Sequence, residues 1–216
     1  MQVLDGPTLA SAIDRLAGVD PDIAAAVGRI GYPIPRQRPP GFATLLRIMV
    51  GQQVSTKSAA AIWGRLEAAC APVTPARFLA LDEAALQAIG LSRRKMAYGR
   101  GLAEALVGGR LDLDRLATDP EEDAIAALCA LHGFGRWSAE IYLLFALGRT
   151  DSFPADDLGV QGGMQRLKRL DARPSREVME ELAEPWRPWR GCGAILLWHV
   201  YGAAVPVYRN ETLLCA

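Results

Sequence analysis

Apolar residues recur at helical spacing along almost the whole chain, and glycines and prolines fall between the periodic segments. Residues 42–51, for example, place their apolar side chains at positions 42, 45, 46, 49 and 50, on one helical face. The segment 205–208 is a candidate for extended structure, but no alternating run is long enough to build a sheet. The pattern therefore predicts an all-α fold of about eleven short helices.

Polar residues mark several of the helix starts. Ser55 or Thr56 is expected to cap a helix that runs to about residue 70, and Ser92 one over 93–107. The acidic run at 119–123 opens a helix over 119–131, because carboxylates stabilise the positive end of the helix dipole. The remaining predicted helices cover 7–18, 20–29, 75–81, 82–89, 136–147, 158–170, 175–184 and 188–203.

Composition narrows the class of protein. The 216 residues are 50% hydrophobic and 22% charged, as in globular proteins, and 24 basic residues balance 24 acidic ones. This balance argues against a protein that coats nucleic acid through a broad basic surface, although not against one that holds a few phosphates. The four cysteines stand far apart and there are two histidines, so we expect neither a zinc or iron–sulfur site nor a Ser/His/Asp triad. Without a signal peptide or a long apolar run, the expected location is the cytoplasm.

The segment His132-Gly133-Phe134-Gly135 joins two predicted helices. Its glycines permit positive φ angles and leave the backbone uncovered. The second helix begins with the N–H groups of residues 135–139, and Arg136 and Ser138 add donors, so this turn could bind one phosphate. An ordinary tight αα-hairpin with glycine at its C-cap explains the same residues equally well.

Asp157 follows Gly135 by 22 residues, as the second member of an Asp-Asp pair. The ordered motifs IMVGQQVS (48–55), LHGFGRWSA (131–139), DSFPADDLGV (151–160) and PWRPWR (185–190) resemble those of the helix-hairpin-helix DNA glycosylase superfamily. Within it, the chain is most similar to the alkyl-base branch, DNA-3-methyladenine glycosylase II. LSRRKMAY (91–98) also fits this branch.

The resemblance implies an enzyme that flips an alkylated base, of the 3-methyladenine or 7-methylguanine type, out of the duplex and hydrolyses its N-glycosidic bond. Asp157 aligns with the catalytic carboxylate, which would stabilise the oxocarbenium charge and orient water. One aspartate of the pair is expected to cap the following helix. We assign the cap to Asp156 and the chemistry to Asp157.

The resemblance also assigns the base pocket, to Trp137, Trp198, Gln52 and Ile141. Gln53 falls at the wedge that fills the hole left by the flipped nucleotide, where many relatives carry leucine. Trp137 stands where bifunctional relatives carry a Schiff-base lysine, which implies a glycosylase without lyase activity. The alternative for Trp137 and Trp198 is that both are core residues. The alternative for Gln52 and Gln53 is that both are exposed amides in a loop.

The expected DNA contacts and cofactors follow from the same resemblance. The residues expected to contact DNA are Gly133, Phe134, Gly135, Arg136, Ser138, Ala139, Gln53 and Ser55. The backbone carbonyls of Cys129, Leu131 and Phe134 could hold a structural Na⁺ or K⁺, and no other cofactor is expected. The expected partner is double-stranded DNA with an alkylated base, in the bacterial nucleoid, with no membrane and no obligate protein partner.

The expected architecture is a central bundle over 36–157, which includes the helix-hairpin-helix at 119–147. Residues 1–35 with 158–216 form a second helical subdomain, and a catalytic cleft lies between the two. Two alternatives remain: a glycosylase for deaminated or oxidised bases, and a non-catalytic helix-hairpin-helix module. A binding module has no need of Asp157, so the spacing of this residue argues against the second.

Overall fold

A computed structural model describes residues 4–203 of the chain. The segment 205–208 lies outside the described residues. Residues 4–203 form thirteen α-helices and one short 3₁₀-helix and include no strand, so the all-α prediction is confirmed. The helices are α1 (Gly6–Val19), α2 (Pro21–Ile30), α3 (Phe42–Gly51), α4 (Thr56–Cys70), α5 (Pro75–Ala80), α6 (Glu83–Ile89), α7 (Arg93–Val107), α8 (Leu113–Thr118), α9 (Glu121–Cys129), α10 (Arg136–Phe145), α11 (Leu158–Lys168), α12 (Arg176–Ala183), the 3₁₀-helix Glu184–Trp186 and α13 (Arg190–Ala203).

The predicted caps of two helices are confirmed. Ser55 caps α4 by accepting the Ser58 N–H at 3.1 Å, and Ser92 caps α7 by accepting the Lys95 N–H at 3.3 Å. Helix α8 was not predicted, because its six residues bury only Leu116 and therefore show no apolar period.

The described residues divide into two compact units. The middle unit comprises residues 38–142, and the terminal unit comprises 4–37 with 143–203. Residues 143–157 therefore belong to the terminal unit and not to the central bundle in which the sequence analysis placed them. Hydrogen bonds explain this difference, since the Thr150 carbonyl accepts the Gly191 N–H at 2.8 Å and Asp151 pairs with Arg187 and Arg190.

In the middle unit, α7 packs against α3, α5 and α6. Basic side chains donate hydrogen bonds to carbonyl groups at the carboxyl ends of three helices in this unit. Lys95 donates to the Val50 and Gln52 carbonyls at the end of α3, Arg100 to the Leu81 carbonyl after α5, and Arg65 to the Ile89 carbonyl at the end of α6. Cations stabilise the negative end of a helix and satisfy its last carbonyl groups, so these contacts stabilise the three helix ends.

In the terminal unit, α11 and α13 pack so closely that their backbones are in contact. A Cβ atom added to Gly163 would lie 2.1 Å from the Leu197 carbonyl oxygen, so only glycine fits there. Helices α1 and α2 also contact α13, and the His199 ring bonds the Ile30 carbonyl at 3.0 Å. The Asp20 carboxylate anchors the unit, because it accepts from Lys168 and from the buried Trp186 indole.

Among residues 4–203, no helix is long and apolar enough to cross a membrane.

Candidate active site and hairpin

The Asp157 carboxylate is held at the N-terminus of α11. Its Oδ1 atom accepts the Gly159 N–H at 2.8 Å, the Val160 N–H at 2.9 Å and the Trp198 Nε1–H at 2.8 Å. The two backbone donors belong to the first turn of α11, whose N–H groups have no acceptor within the helix. Three donors on one oxygen fix the position of the carboxylate.

The assignment of the helix cap to Asp156 was wrong. Asp157 is the N-cap of α11, because its extended backbone turns Oδ1 toward the following N–H groups. Asp156 is half exposed and forms an ion pair with Arg176. The residue proposed for the chemistry therefore also caps the helix.

Trp198 lies close to Asp157 because Gly159 leaves room for its ring. A Cβ atom at Gly159 would lie 2.8 Å from Trp198 Cδ1 and 3.1 Å from Asp157 Oδ1. The indole is tilted against Phe145, with 5.5 Å between ring centroids, and remains partly exposed. Trp198 thus joins α13 to the cap of α11, which is a contact that the sequence analysis did not predict.

Arg36 contributes positive charge to the same unit. Burial lowers the pKa of its guanidinium, and the negative charge of Asp157 opposes that shift. The sequence analysis missed Arg36, because it lies in a proline-rich connection without helical periodicity.

The hairpin between α9 and α10 uses its two glycines differently. Gly133 has a φ of 92°, and a Cβ atom there would lie 2.2 Å from the ring of Tyr98. Gly135 is exposed, has no positive φ angle, and would place a Cβ atom in open space. Both glycines permit a positive φ angle, and of the two only Gly133 adopts one. Gly133 is required by the turn, whereas Gly135 leaves the backbone before α10 uncovered.

Several expected phosphate donors have other partners. The Arg136 guanidinium binds Glu122 at 2.5 and 2.7 Å and Glu140 at 2.9 Å, which raises its pKa and links α9 to α10. Ser138 is buried, and its Oγ atom accepts from Gln52. Ala139 is fully buried, and its N–H bonds the Gly135 carbonyl at 3.1 Å. These partners do not test the DNA contacts expected at 136, 138 and 139, which stay predictions.

Phe134 anchors the hairpin, since its ring is buried and its N–H bonds the Leu131 carbonyl at 3.1 Å. The part of the hairpin that remains suited to an anion is the backbone around Gly135 and the first turn of α10. These N–H groups lie at the positive end of a helix dipole.

The two glutamines after α3 are not equivalent. Gln52 is half-buried, and its Nε2 atom donates to the Gly133 carbonyl at 2.9 Å and to Ser138 Oγ at 2.8 Å. Gln53 is exposed and has a φ of 56°, in the left-handed region. The alternative of two exposed loop amides therefore fails for Gln52, which ties the end of α3 to the hairpin.

The other expected site residues stay predictions. Ile141 is buried, Trp137 is partly exposed, and Ser55 is exposed at the start of α4. The carbonyl oxygens of Cys129, Leu131 and Phe134 are hard, neutral donors, which suits a monovalent cation, although Leu131 already accepts from Phe134.

The chain is similar to known base excision DNA repair proteins. Residues 46–188 match the model of the HhH-GPD superfamily base excision DNA repair proteins. DNA-3-methyladenine glycosylase 1 of Schizosaccharomyces pombe is 30% identical over 201 residues, which cover 88% of this chain and 87% of that protein. DNA-3-methyladenine glycosylase 2 of Escherichia coli is 30% identical over 196 residues, 83% of this chain and 66% of that protein.

A solved structure shows the same fold. The S. pombe 3-methyladenine DNA glycosylase in complex with abasic DNA superposes with a TM-score of 0.80 at 28% identity, over 88% of this chain and 95% of that one. The chain belongs to the HhH-GPD superfamily of base excision DNA repair proteins. Its resemblance to the branch of the 3-methyladenine glycosylases is confirmed by relatives that carry this name.

The geometry of the hairpin predicts different stability for two glycine variants. Gly133→Ala should lower the free energy of unfolding by about 1–3 kcal/mol, because it strains a positive φ angle and overlaps the Tyr98 ring. Gly135→Ala should change it by less than about 0.5 kcal/mol, as at open surface sites. Urea titrations monitored by circular dichroism measure both values. Equal destabilisation by the two substitutions would contradict the distinction between them.

Proposed function

We propose that the chain is a monofunctional DNA glycosylase that excises alkylated bases of the 3-methyladenine and 7-methylguanine type. The observation that carries this proposal is the Asp157 carboxylate, fixed by two helix N–H groups and the Trp198 indole. The names of the relatives favour alkylated bases as the substrate class. The reaction leaves an abasic site for other enzymes of base excision repair.

The proposed chemistry is hydrolysis of one bond. As the bond between C1′ and the base nitrogen breaks, its electron pair leaves with the base and positive charge develops on the sugar. The charge of Asp157 stabilises this oxocarbenium ion. A water oxygen then bonds to C1′, and its proton passes to the carboxylate. An oxygen that three donors hold in place has little need to reorganise during the reaction.

Cationic purines suit this site. A base that carries a methyl group and a positive charge leaves as a neutral molecule, so its glycosidic bond is already weak. Aromatic faces attract such a base without a hydrogen-bond pattern, and Trp137 and Trp198 are our candidates for these faces. The partly exposed ring of Trp198 is consistent with this role.

Contacts with the DNA backbone are assigned to the hairpin. The exposed backbone at Gly135 and the first turn of α10 would bind a phosphate, and Gln53 would enter the duplex beside the flipped nucleotide. If a Na⁺ or K⁺ ion binds, the carbonyls of Cys129, Leu131 and Phe134 would hold it, and it would add positive charge beside that phosphate.

Asp157→Asn should abolish almost all excision. Asparagine is also a good N-cap, so the helix start should survive while the negative charge is lost. Loss of such an electrostatic contribution lowers the rate by about 10²–10³-fold. Single-turnover excision from a 7-methylguanine duplex, followed by alkali to cleave abasic sites, measures this rate.

Asp156→Asn is the matched control. It removes the exposed ion pair with Arg176 and should leave the excision rate within about twofold of the unsubstituted protein. An inactive Asp156→Asn protein beside an active Asp157→Asn protein would overturn the assignment of the catalytic carboxylate. Efficient excision of hypoxanthine or 8-oxoguanine, without activity on 7-methylguanine, would move the substrate class to deaminated or oxidised bases.

The absence of a lysine at position 137 predicts no lyase activity. Trp137 has no amine to attack the sugar carbon, so strand breaks should arise only after alkali. Incubation with an alkylated duplex and sodium borohydride, followed by denaturing electrophoresis, should show no covalent protein–DNA complex. A trapped complex would refute the monofunctional assignment.

A further inference from the structure

The turn after α3 and the hairpin before α10 are joined by one side chain. Gln52 donates from Nε2 to the Gly133 carbonyl at 2.9 Å and to Ser138 Oγ at 2.8 Å. Both acceptors belong to the hairpin and the first turn of α10, and Gln52 lies more than eighty positions earlier in the chain. An amide with two acceptors at these distances has a defined position.

The backbone of the same turn is held from the other side. Lys95 donates from Nζ to the Val50 carbonyl at 2.6 Å and to the Gln52 carbonyl at 2.8 Å. Lys95 is half-buried, and burial lowers its pKa. A cation at the carboxyl end of α3 therefore fixes the backbone of Gln52 while the hairpin fixes its side chain.

Helix α7 supports both partners. Tyr98 lies one helical turn after Lys95, and its ring packs where a side chain at Gly133 would lie. One face of α7 thus contacts the end of α3 and the hairpin together. Support of the α3 end and the hairpin is thus a role for the segment 91–98, to which the proposed function assigns no other role.

Gln53 follows directly and is the residue that needs this support. Its φ of 56° lies in a region that non-glycine residues seldom adopt, and its side chain is exposed. A residue keeps such a backbone conformation when the surrounding structure holds it there. The hydrogen bonds of the Gln52 backbone and side chain hold the adjacent Gln53 in this conformation.

We propose that Gln52, backed by Lys95, is a positioning residue that sets the wedge residue Gln53 in register with the phosphate-binding hairpin. A phosphate bound at the hairpin then fixes where Gln53 enters the duplex. The inference rests on the proposed function, since it takes from it the roles of Gln53 and the hairpin. Gln52 acts through Gln53 and does not itself touch the reacting atoms.

A double-mutant cycle tests this coupling. Gln52→Ala and Gln53→Ala should each lower single-turnover excision of 7-methylguanine by about tenfold to a hundredfold, as expected for misplacement of a reacting group. The double variant should be no slower than Gln53→Ala alone, because the first residue acts through the second. Gln87→Ala, an exposed glutamine on α6, is the control and should leave the rate unchanged. Effects of the two substitutions that multiply, or a Gln52→Ala protein as active as the control, would overturn the proposal.

A fluorescence readout separates positioning from a merely structural role. A duplex with a tetrahydrofuran abasic analogue opposite 2-aminopurine should change its emission when the unsubstituted protein inserts Gln53. Gln52→Ala should lose this change while its Kd for the duplex stays within about threefold, because the phosphate contacts remain. An unchanged emission response in Gln52→Ala would contradict the inference.

A second variant covers the case in which Gln52→Ala does not fold. Lys95→Met keeps the aliphatic stem and removes the ammonium group, and it should give the same loss of emission change. Failure of the proposed function has a different signature, since the unsubstituted protein would then excise no alkylated base. If the unsubstituted protein is active and Lys95→Met still shows the normal emission response, the inference is overturned while the proposed function stands.

Discussion

The hydrogen bonds to one oxygen of Asp157 are the constraint on which the candidate site depends. Gly159 and Val160 supply two of the donors from α11, and Trp198 supplies the third from α13. The sequence analysis divided capping and chemistry between two aspartates, whereas Asp157, the residue proposed for the chemistry, is also the helix cap. Helix capping commonly contributes about 1 kcal/mol of stability, so here the fold and the proposed reaction use the same carboxylate.

Close packing of α11 on α13 makes this arrangement possible. Gly159 admits the Trp198 ring, and Gly163 lets α11 approach the α13 backbone at Leu197. A larger residue at either position would move the indole away from the carboxylate. The glycines of α11 are therefore part of the site, although none of them carries a functional group.

The helices were predictable because their apolar period and polar caps are local signals. Ser55 and Ser92 illustrate this, since each caps the helix that its position indicated. The Glu122 partner of Arg136, the Gln52 partner of Ser138 and the Arg176 partner of Asp156 were not predictable, because they lie far away in the sequence. A motif marks where an aspartate or arginine stands, but tertiary packing decides what it binds. The cap of α11 shows the same limit, since adjacent aspartates are equivalent in sequence and differ in backbone direction.

The most direct test of this account is single-turnover excision of 7-methylguanine by Trp198→Phe. Phenylalanine keeps a smaller aromatic face for the base and removes the Nε1–H donor to Asp157. The account predicts a rate about tenfold to a hundredfold lower, with the free energy of unfolding reduced by less than about 2 kcal/mol and with abasic-DNA binding retained. A Trp198→Phe protein with an unchanged rate would contradict the claim that this hydrogen bond fixes the carboxylate proposed for catalysis.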